Sequence, residues 1–219
     1  MIINKLQVVH RLCAEGIVAV IRAEDSEQAI KIAEACLRGG ISSLEITFTI
    51  PRAHQVIEAL SNHFSPGEVT IGAGTVLDPE TARIAILSGA QFIVSPYVNT
   101  DTIQLCNRYG IPCMPGAMTV KEAIEGMEAG ADIIKLFPGE TYGPSMIRSL
   151  KGPLPQINLM PTGGVNLETI TDWLEAGAVA VGVGGSLISS AKQGDYATIT
   201  EKSRQLVEKV KTFHGVYSR

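Results

Sequence analysis

The sequence has little that would mark a secreted, membrane-spanning or nucleic-acid-binding protein. Its 219 residues include only four cysteines, Cys13, Cys36, Cys106 and Cys113, and none of these form a CxxC pair. Such spacing predicts reduced, mostly buried thiols and a cytoplasmic location. No run approaches the roughly 18–20 apolar residues that cross a bilayer, so no membrane partner is expected. The net charge of −4 comes without a block of lysine and arginine, which argues against a nucleic-acid partner.

The first residues, "MIINKLQVVHRLCAEG", superficially resemble a targeting segment. However, the apolar residues Ile3, Leu6, Val9 and Leu12 recur at helical spacing with polar residues between them. The segment also lacks a continuous apolar stretch and a clear cleavage site. We therefore predict a short amphipathic helix over residues 1–15 that packs on the rest of the protein.

Eight short, β-rich segments alternate with helical stretches along the whole chain. The segments begin with "IVAVIR" at residue 17 and continue with "SSLEITF", "VTIGAG", "QFIVSP", "PCMPG", "DIIKLF", "INLMPTG" and "AVAVGVGG". Many of the intervening stretches end in glycine, the residue typical of a helix C-terminus. Alternating strands and helices indicate an α/β fold with a parallel sheet.

Two α/β architectures fit this alternation. A doubly wound open sheet usually has fewer strands, whereas eight strand–helix units in slightly more than 200 residues fit a (β/α)8 TIM barrel. A leucine-rich solenoid has a similar repeat length, but its "LxxLxL" pattern is missing. We predict a single (β/α)8 barrel domain spanning residues 1–219. In such barrels the functional residues lie at the carboxyl ends of the strands.

The sixth predicted strand, "DIIKLF", carries Lys135 on the same face as Ile133 and Phe137. A lysine here either reaches water from the strand end, pairs with a carboxylate, or is a buried amine that attacks a carbonyl to form an imine. The second strand, opposite in an eight-stranded barrel, offers Glu45 in "LEITF". A glutamate beside an amine can move protons, although a structural ion pair is the alternative interpretation.

Glycine-rich segments end three of the predicted strands. "GAGTV" begins like a dinucleotide-binding motif, but Leu77 occupies the position of the third glycine, so we expect no nicotinamide cofactor. "PTGGV" and "GVGGSLI" end the last two strands, where barrels commonly bind phosphate on backbone amides. Their candidate phosphate-binding residues are Gly163, Gly164, Gly184, Gly185 and Ser186. A glycine pair alone is more often only a turn.

Metal-binding and other nucleophile motifs are missing. His10, His54, His63 and His214 are dispersed, so we expect no metal site of histidine and cysteine ligands. Magnesium ligation by carboxylates stays open. The sequence contains no GxSxG motif and no catalytic-cysteine context. We therefore expect no metal and no cofactor.

In combination, "LEIT", "GAGTV", "FIVSP", "KLFP", "PTGGV" and "VGGS" resemble the 2-keto-3-deoxy-6-phosphogluconate aldolase family, whose members often also cleave 2-keto-4-hydroxyglutarate. The motifs occur in the family order and cover nearly the whole predicted barrel. The resemblance implies a metal-independent class I aldolase that makes pyruvate and glyceraldehyde 3-phosphate from a phosphorylated 2-keto acid. It also implies a homotrimer and a role in Entner–Doudoroff carbohydrate breakdown.

The same resemblance assigns roles to individual residues. Lys135 in "KLFP" matches the Schiff-base lysine and Glu45 in "LEIT" the acid–base glutamate. Thr75 matches a contact to the pyruvyl carboxylate, and Pro96 lines the same pocket. Thr162, with the glycines and the serine named above, matches the phosphate end.

One position departs from the family pattern. Better-known members have an arginine four residues after the glutamate, where this chain has Thr49, which carries a hydroxyl and no charge. We hypothesise that Arg22, at the end of the first strand, supplies a cation to the substrate carboxylate, since a guanidinium can bind a carboxylate with two hydrogen bonds. A salt bridge at the barrel rim is the alternative role for Arg22.

Two other function classes stay open. One is a metal-dependent pyruvate aldolase, and the other is a sugar-phosphate isomerase or synthase, or a phosphate-binding barrel without catalysis. The combination of "KLFP" and "LEIT" favours imine chemistry over both.

Overall fold

The computed structural model describes residues 4–217 and shows parallel strands that alternate with helices. The strands are β1 (Ile17–Ile21), β2 (Ser43–Thr47), β3 (Thr70–Gly74), β4 (Phe92–Val94), β5 (Cys113–Met114), β6 (Gly116–Ala117), β7 (Ile134–Leu136), β8 (Leu159–Pro161) and β9 (Val181–Val183). The helices are α1 (Asn4–Glu15), α2 (Ser26–Arg38), α3 (Ala53–His63), α4 (Pro79–Leu87), α5 (Thr100–Arg108), α6 (Val120–Glu128), α7 (Gly139–Tyr142), α8 (Ser145–Lys151), α9 (Ile170–Glu175), α10 (Gly185–Ile188) and α11 (Tyr196–Tyr217). Within the described range, no helix is both long and apolar enough to cross a membrane.

The strand order confirms the predicted α/β fold with a curled parallel sheet. Six strands pair in the order β5-β4-β3-β2-β1-β9, and three more pair in the order β6-β7-β8. Strands that follow one another in the chain are thus neighbours, and the last strand pairs in parallel with the first. A doubly wound sheet instead reverses its strand order at its centre, so that alternative is wrong.

The predicted fifth strand is divided into β5 and β6 by Pro115. Proline has no backbone N–H and cannot donate to a neighbouring strand, so the strand is interrupted there. The Pro115 carbonyl still accepts a hydrogen bond of 2.9 Å from the backbone N–H of Lys135. Because of the division, the strand that carries Lys135 is β7.

Apolar side chains from opposite faces of the strands fill two separate cores. The larger core lies between the strands and the outer helices and includes Ile134 and Leu136. The smaller core lies on the inner face and consists of Val8, Leu12, Val18, Phe92, Val94, Met114, Ile133, Met160 and Ala180. The predicted alternation along β7 is confirmed, because Ile133 belongs to the inner core while its neighbour Ile134 belongs to the outer one.

Helix α1 covers the inner core with Val8 and Leu12, which are one turn apart. The predicted buried face is partly wrong, since the Leu6 side chain is 52% exposed, and Ile3 lies outside the described residues. Polar contacts explain the rotation of the helix. Lys5 Nζ lies 2.6 Å from Asp132 Oδ2, and Arg11 donates a 2.7 Å hydrogen bond to Ser42 Oγ.

All four cysteines are free thiols, as the sequence predicts, and three of them are buried. Burial raises the pKa of the Cys36 thiol to about 12. Such thiols pack as small apolar side chains and react slowly, because the thiolate is the reactive form.

We expect Leu12→Ala to lower the free energy of unfolding by roughly 2–5 kcal/mol, because it leaves a cavity in the inner core. Leu6→Ala, on the same helix, should change it by less than about 0.5 kcal/mol, because Leu6 is exposed. Urea denaturation followed by circular dichroism measures both. Equal effects of the two substitutions would contradict this packing of α1.

Candidate active site

Lys135 lies near the carboxyl end of β7 and points to the inner face of the sheet, on the same side as Ile133. Only 5% of the residue is exposed, so nearly all of the side chain is packed inside the protein. Its Nζ atom lies 4.9 Å from the centroid of the Phe137 ring, close enough for a cation–π contact. Among residues 4–217 it has neither a hydrogen bond nor an ion pair.

Glu45 lies in β2 and is buried even more completely, with 1% exposed. Its Oε2 atom has no hydrogen-bond partner in the described part of the chain. Its Oε1 atom packs against Gly74, so closely that a Cβ at Gly74 would lie 1.9 Å from it. No ion pair within 4.0 Å joins Glu45 to Lys135 among the described residues, so the structural ion pair that the sequence left open is not formed.

Two unpaired polar side chains in one apolar interior are unusual, because buried polar groups nearly always have a partner. Val94 and Met160 belong to the inner core beneath them, and Phe137 lies beside the amine. The arrangement therefore fits a polar ligand that brings its own hydrogen-bonding groups.

The end of β4 lies close to Lys135. Gly116 pairs in register with Lys135, and a Cβ at Gly116 would lie 2.3 Å from the Pro96 carbonyl oxygen. Thr75, directly after β3, has a φ of 56°, which is rare for a β-branched residue and costs about 1–3 kcal/mol. Strain of this kind is typical of functional sites.

Thr49 lies beyond the end of β2 and is exposed. Its hydroxyl is 2.8 Å from the hydroxyl of Thr47, which shares the inner face with Glu45. The two threonine hydroxyls are thus hydrogen-bonded to each other, and neither side chain adds a positive charge to the site.

A cavity of about 420 Å³ opens at the carboxyl ends of β1, β7, β8 and β9. It contains all five predicted phosphate-binding residues together with Arg22 and Thr162. Its full lining is Val20, Arg22, Phe137, Glu140, Thr162, Gly163, Gly164, Val165, Asn166, Gly182, Gly184, Gly185 and Ser186. Phe137 belongs both to this lining and to the surroundings of the Lys135 amine, so the cavity and the amine are adjacent.

The glycines of the cavity have conformations that other residues rarely adopt. Gly163 and Gly164 have φ angles of 94° and 70°, and a Cβ at Gly163 would lie 1.8 Å from Glu140 Oε2, so that carboxylate would have to move. The Ser186 hydroxyl donates a 2.9 Å hydrogen bond to the Val165 carbonyl. Because that hydroxyl is already bonded, the backbone N–H groups at the start of α10 are the donors available to an anion.

Arg22 and Thr162 add polar side chains at opposite depths of the cavity. Arg22 is exposed, and its Nη1 atom lies 3.6 Å from the position that a Cβ would take at Gly184. Among the described residues Arg22 makes no ion pair, so the alternative role in a salt bridge at the barrel rim is not observed. Thr162 Oγ1 is buried and has no hydrogen-bond partner in residues 4–217.

Six residues of the cavity lining are absent from the sequence-based candidates, and two of these six are Phe137 and Glu140. Both follow Lys135 closely in "KLFPGE", so their position after a strand end was the available signal. The backbone N–H of Gly139 donates to the Thr162 carbonyl over 2.9 Å, and this contact brings the start of α7 against β8.

A larger groove of about 820 Å³ lies on the outer surface, between the segment around α9 and helix α11. No strand end contributes to it, and none of the predicted site residues lines it. In parallel α/β folds the chemistry lies at strand carboxyl ends, so the smaller cavity is the better candidate site. In the described residues, no group of three or more histidine, cysteine, aspartate or glutamate side chains is arranged to hold a metal ion.

We expect Lys135→Met to raise the free energy of unfolding by about 1–4 kcal/mol, because methionine fills the same space without an unpaired amine. Lys5→Met is the matched control and should lower it by up to about 1 kcal/mol, because Asp132 loses its partner. Urea denaturation of both variants measures this. A loss of stability in Lys135→Met would mean that the amine has a stabilising partner.

Comparisons with known proteins identify the family of this chain. The family model "KDPG and KHG aldolase" matches residues 8–202. The 2-dehydro-3-deoxy-phosphogluconate aldolase of Treponema pallidum is 33% identical over 88% of this chain and 92% of the relative. The 2-dehydro-3-deoxy-6-phosphogalactonate aldolase of Escherichia coli is 34% identical over 78% of this chain and 83% of the relative. The structure of a KDPG aldolase from Legionella pneumophila, with pyruvate captured as a covalent carbinolamine, superimposes with a TM-score of 0.83 at 32% identity, over 89% of this chain and 95% of that one. The chain therefore belongs to the KDPG and KHG aldolase family.

Proposed function

We propose that this protein is a class I aldolase that cleaves 2-keto-3-deoxy-6-phosphogluconate to pyruvate and glyceraldehyde 3-phosphate. 2-Keto-4-hydroxyglutarate, cleaved to pyruvate and glyoxylate, is a second proposed substrate. The observation that carries the proposal is the buried, unpaired Lys135 amine next to a glycine-lined cavity that suits an anion. The names of the relatives, which include gluconate-type and galactonate-type aldolases, support the reaction class.

In the proposed mechanism, the neutral amine of Lys135 attacks the C2 ketone of the substrate. Glu45, whose Oε2 atom has no protein partner in the described chain, gives and takes the protons that convert the carbinolamine to a protonated imine with loss of water. The pyruvyl carboxylate binds near Thr75 and Pro96, and the hydroxyl of Thr49 lies at the same strand ends.

The protonated imine then accepts the electrons of the C3–C4 bond. Glu45 removes the proton of the C4 hydroxyl, the bond breaks, and the aldehyde leaves while an enamine stays on Lys135. The same glutamate returns the proton to C3, and water releases pyruvate and regenerates the free amine. The covalent intermediate divides a difficult carbon–carbon cleavage into easier steps, and phosphate bound on the glycines of β8 and β9 holds the aldehyde half in place.

We expect borohydride to trap one reduced pyruvyl group on Lys135 when the protein is incubated with pyruvate, as mass spectrometry of the digested protein measures. Lys135→Gln should abolish trapping, whereas Lys31→Gln on the exposed surface of α2 should retain it. Activity should survive a metal chelator. Loss of activity with chelator, and no trapping in the unaltered protein, would instead indicate the metal-dependent aldolase. Binding of phosphorylated ligands without trapping would indicate an isomerase, synthase or noncatalytic barrel.

We also propose that Arg22 binds the distal anion of the substrate. The sequence suggested the pyruvyl carboxylate as its partner. The location of the guanidinium beside Gly184, in the cavity that holds Ser186, favours the phosphate instead. An exposed guanidinium with no ion pair among the described residues is free to bind a phosphate through two hydrogen bonds.

Arg22→Ala should raise KM for the phosphorylated substrate at least about tenfold, because a charged hydrogen bond is lost. The concentration of pyruvate that gives half-maximal borohydride trapping should stay unchanged. Arg52→Ala, an exposed arginine outside the cavity, is the control. If trapping by pyruvate weakens and KM for the phosphorylated substrate does not, Arg22 serves the carboxylate.

We propose that the strands close into a (β/α)8 barrel and that residues 1–219 form one domain. Three observations support closure. β9 pairs with β1, and Thr162 forms an isolated β-bridge with Gly182. Only one residue, Pro115, separates β5 from β6 in the chain. The inner core, to which α1 and strands from both sheets contribute, also supports it. Helix α1 then covers the amino-terminal end of the barrel.

We propose a homotrimer in the cytoplasm. The large apolar residues Leu77, Ile84, Leu87, Tyr97 and Tyr109 are exposed on and around α4 and α5. Tyr97 donates a 2.6 Å hydrogen bond to the Leu77 carbonyl, and α4 packs against α5. Exposed apolar patches are typical of subunit contacts. A 28% identical structure was built by fusing symmetric oligomeric domains, which also supports assembly. Four free thiols support the location.

A further inference from the structure

Glu140 places a carboxylate inside the cavity that otherwise suits an anion. It is in the first turn of α7, directly after the strand that carries Lys135. Its Oε2 atom lies against Gly163, and its Cα lies 3.1 Å from a Cβ position at Gly164. Among the described residues that line the cavity, it is the one with an acidic side chain.

The backbone holds Glu140 in this position. The N–H of Gly139 donates to the Thr162 carbonyl over 2.9 Å, and a Cβ at Gly139 would lie 2.6 Å from the Gly163 carbonyl oxygen. Since only glycine allows this approach, the start of α7 is pressed onto the β8 end, and Glu140 follows it into the cavity.

The carboxylate has no hydrogen bond and no ion pair within residues 4–217. Some other carboxylates of the protein are used locally: Glu122 closes the capping box of α6, and Glu15 accepts hydrogen bonds from Ser42 and Ser43. Glu140 has no such local use among the described residues, and its exposed carboxylate can accept a hydrogen bond from a molecule in the cavity. Arg22 and the backbone amides of the cavity are donors, so the lining combines donors for an anion with one strong acceptor.

Building on the proposed function, we propose that Glu140 accepts a hydrogen bond from the hydroxyl at C5 of the substrate, and so selects aldehydes that carry a hydroxyl next to the phosphate. The C4 hydroxyl gives its proton to Glu45 during cleavage. C5 lies between C4 and the phosphate, and Glu140 lines the same cavity as Phe137, which is beside the amine, and Gly163, against which its carboxylate lies.

A purely electrostatic role predicts the opposite result. If Glu140 acted only as a negative charge, it would repel the phosphate dianion of every phosphorylated substrate, and its removal would improve their binding. Acceptance of a hydroxyl hydrogen bond instead makes the effect depend on whether the substrate has that hydroxyl.

The experiment compares two aldehydes in the condensation with saturating pyruvate: glyceraldehyde 3-phosphate, and 3-oxopropyl phosphate, which lacks the hydroxyl. Glu140→Ala should lower kcat/KM about 10- to 100-fold for the first aldehyde, the range expected for a charged hydrogen bond. It should change kcat/KM less than about threefold for the second. Glu140→Gln keeps a neutral acceptor and should fall between the unaltered protein and Glu140→Ala. Glu128→Ala, an exposed glutamate of α6, is the matched control.

Two outcomes would overturn the inference. An equal loss for both aldehydes would show a structural role for Glu140, and an equal gain would show electrostatic repulsion of the phosphate. Trapping of pyruvate on Lys135 is measured in the same preparations. If trapping is retained while the aldehydes are not distinguished, the inference fails and the aldolase proposal stands; if the unaltered protein is not trapped, the aldolase proposal itself fails.

Discussion

The structure depends on the burial of an amine without a counter-ion. An ammonium group removed from water is strongly destabilised, and proteins usually compensate it with a carboxylate or place it at the surface. Lys135 has neither arrangement among the described residues: it is 5% exposed, and no ion pair joins it to Glu45 or to another carboxylate. Imine formation needs a lysine amine that can attack a carbonyl carbon without first breaking an ion pair, and among the described residues Lys135 meets that requirement.

Space for this site comes from glycines on the inner faces of the strands. Gly72 faces the ring of Phe92, Gly74 the carboxylate of Glu45, and Gly182 the side chain of Thr162. In each pair, a Cβ on the glycine would lie within 2.4 Å of the facing side chain. The larger side chain therefore fits only because the facing residue on the adjacent strand is glycine. The consequence for catalysis is that Gly74 sets the position of Glu45. The glycines of "GAGTV" thus have a packing role in addition to the backbone approach that the sequence suggested.

Much of the fold and part of the site could be predicted from sequence, because strand alternation is a local property. The period of two in "DIIKLF" was enough to place Lys135 and Ile133 on one face. Pro115 is likewise a local signal for the division of the fifth strand, because proline cannot donate a backbone hydrogen bond. Leu6 was assigned to the wrong side of α1 because ion pairs with distant residues, such as Lys5 with Asp132, set the rotation of that helix. Glu140 could not be assigned to the site from the sequence, because its position depends on the contact between Gly139 and Thr162, which are far apart in the chain.

The distribution of charge separates two tasks within one continuous site. Around Lys135 the neighbours are apolar, since Phe137 lies beside the amine and Ile133 and Met160 belong to the inner core. At the other end, Arg22, Glu140 and the glycine amides are at or near the surface, where charges are screened and binding an anion costs less desolvation. Phe137 belongs to both regions, and Thr162 links the cavity to β8 and β9. Changes at the outer end can therefore alter which aldehyde is accepted without disturbing the environment of the amine.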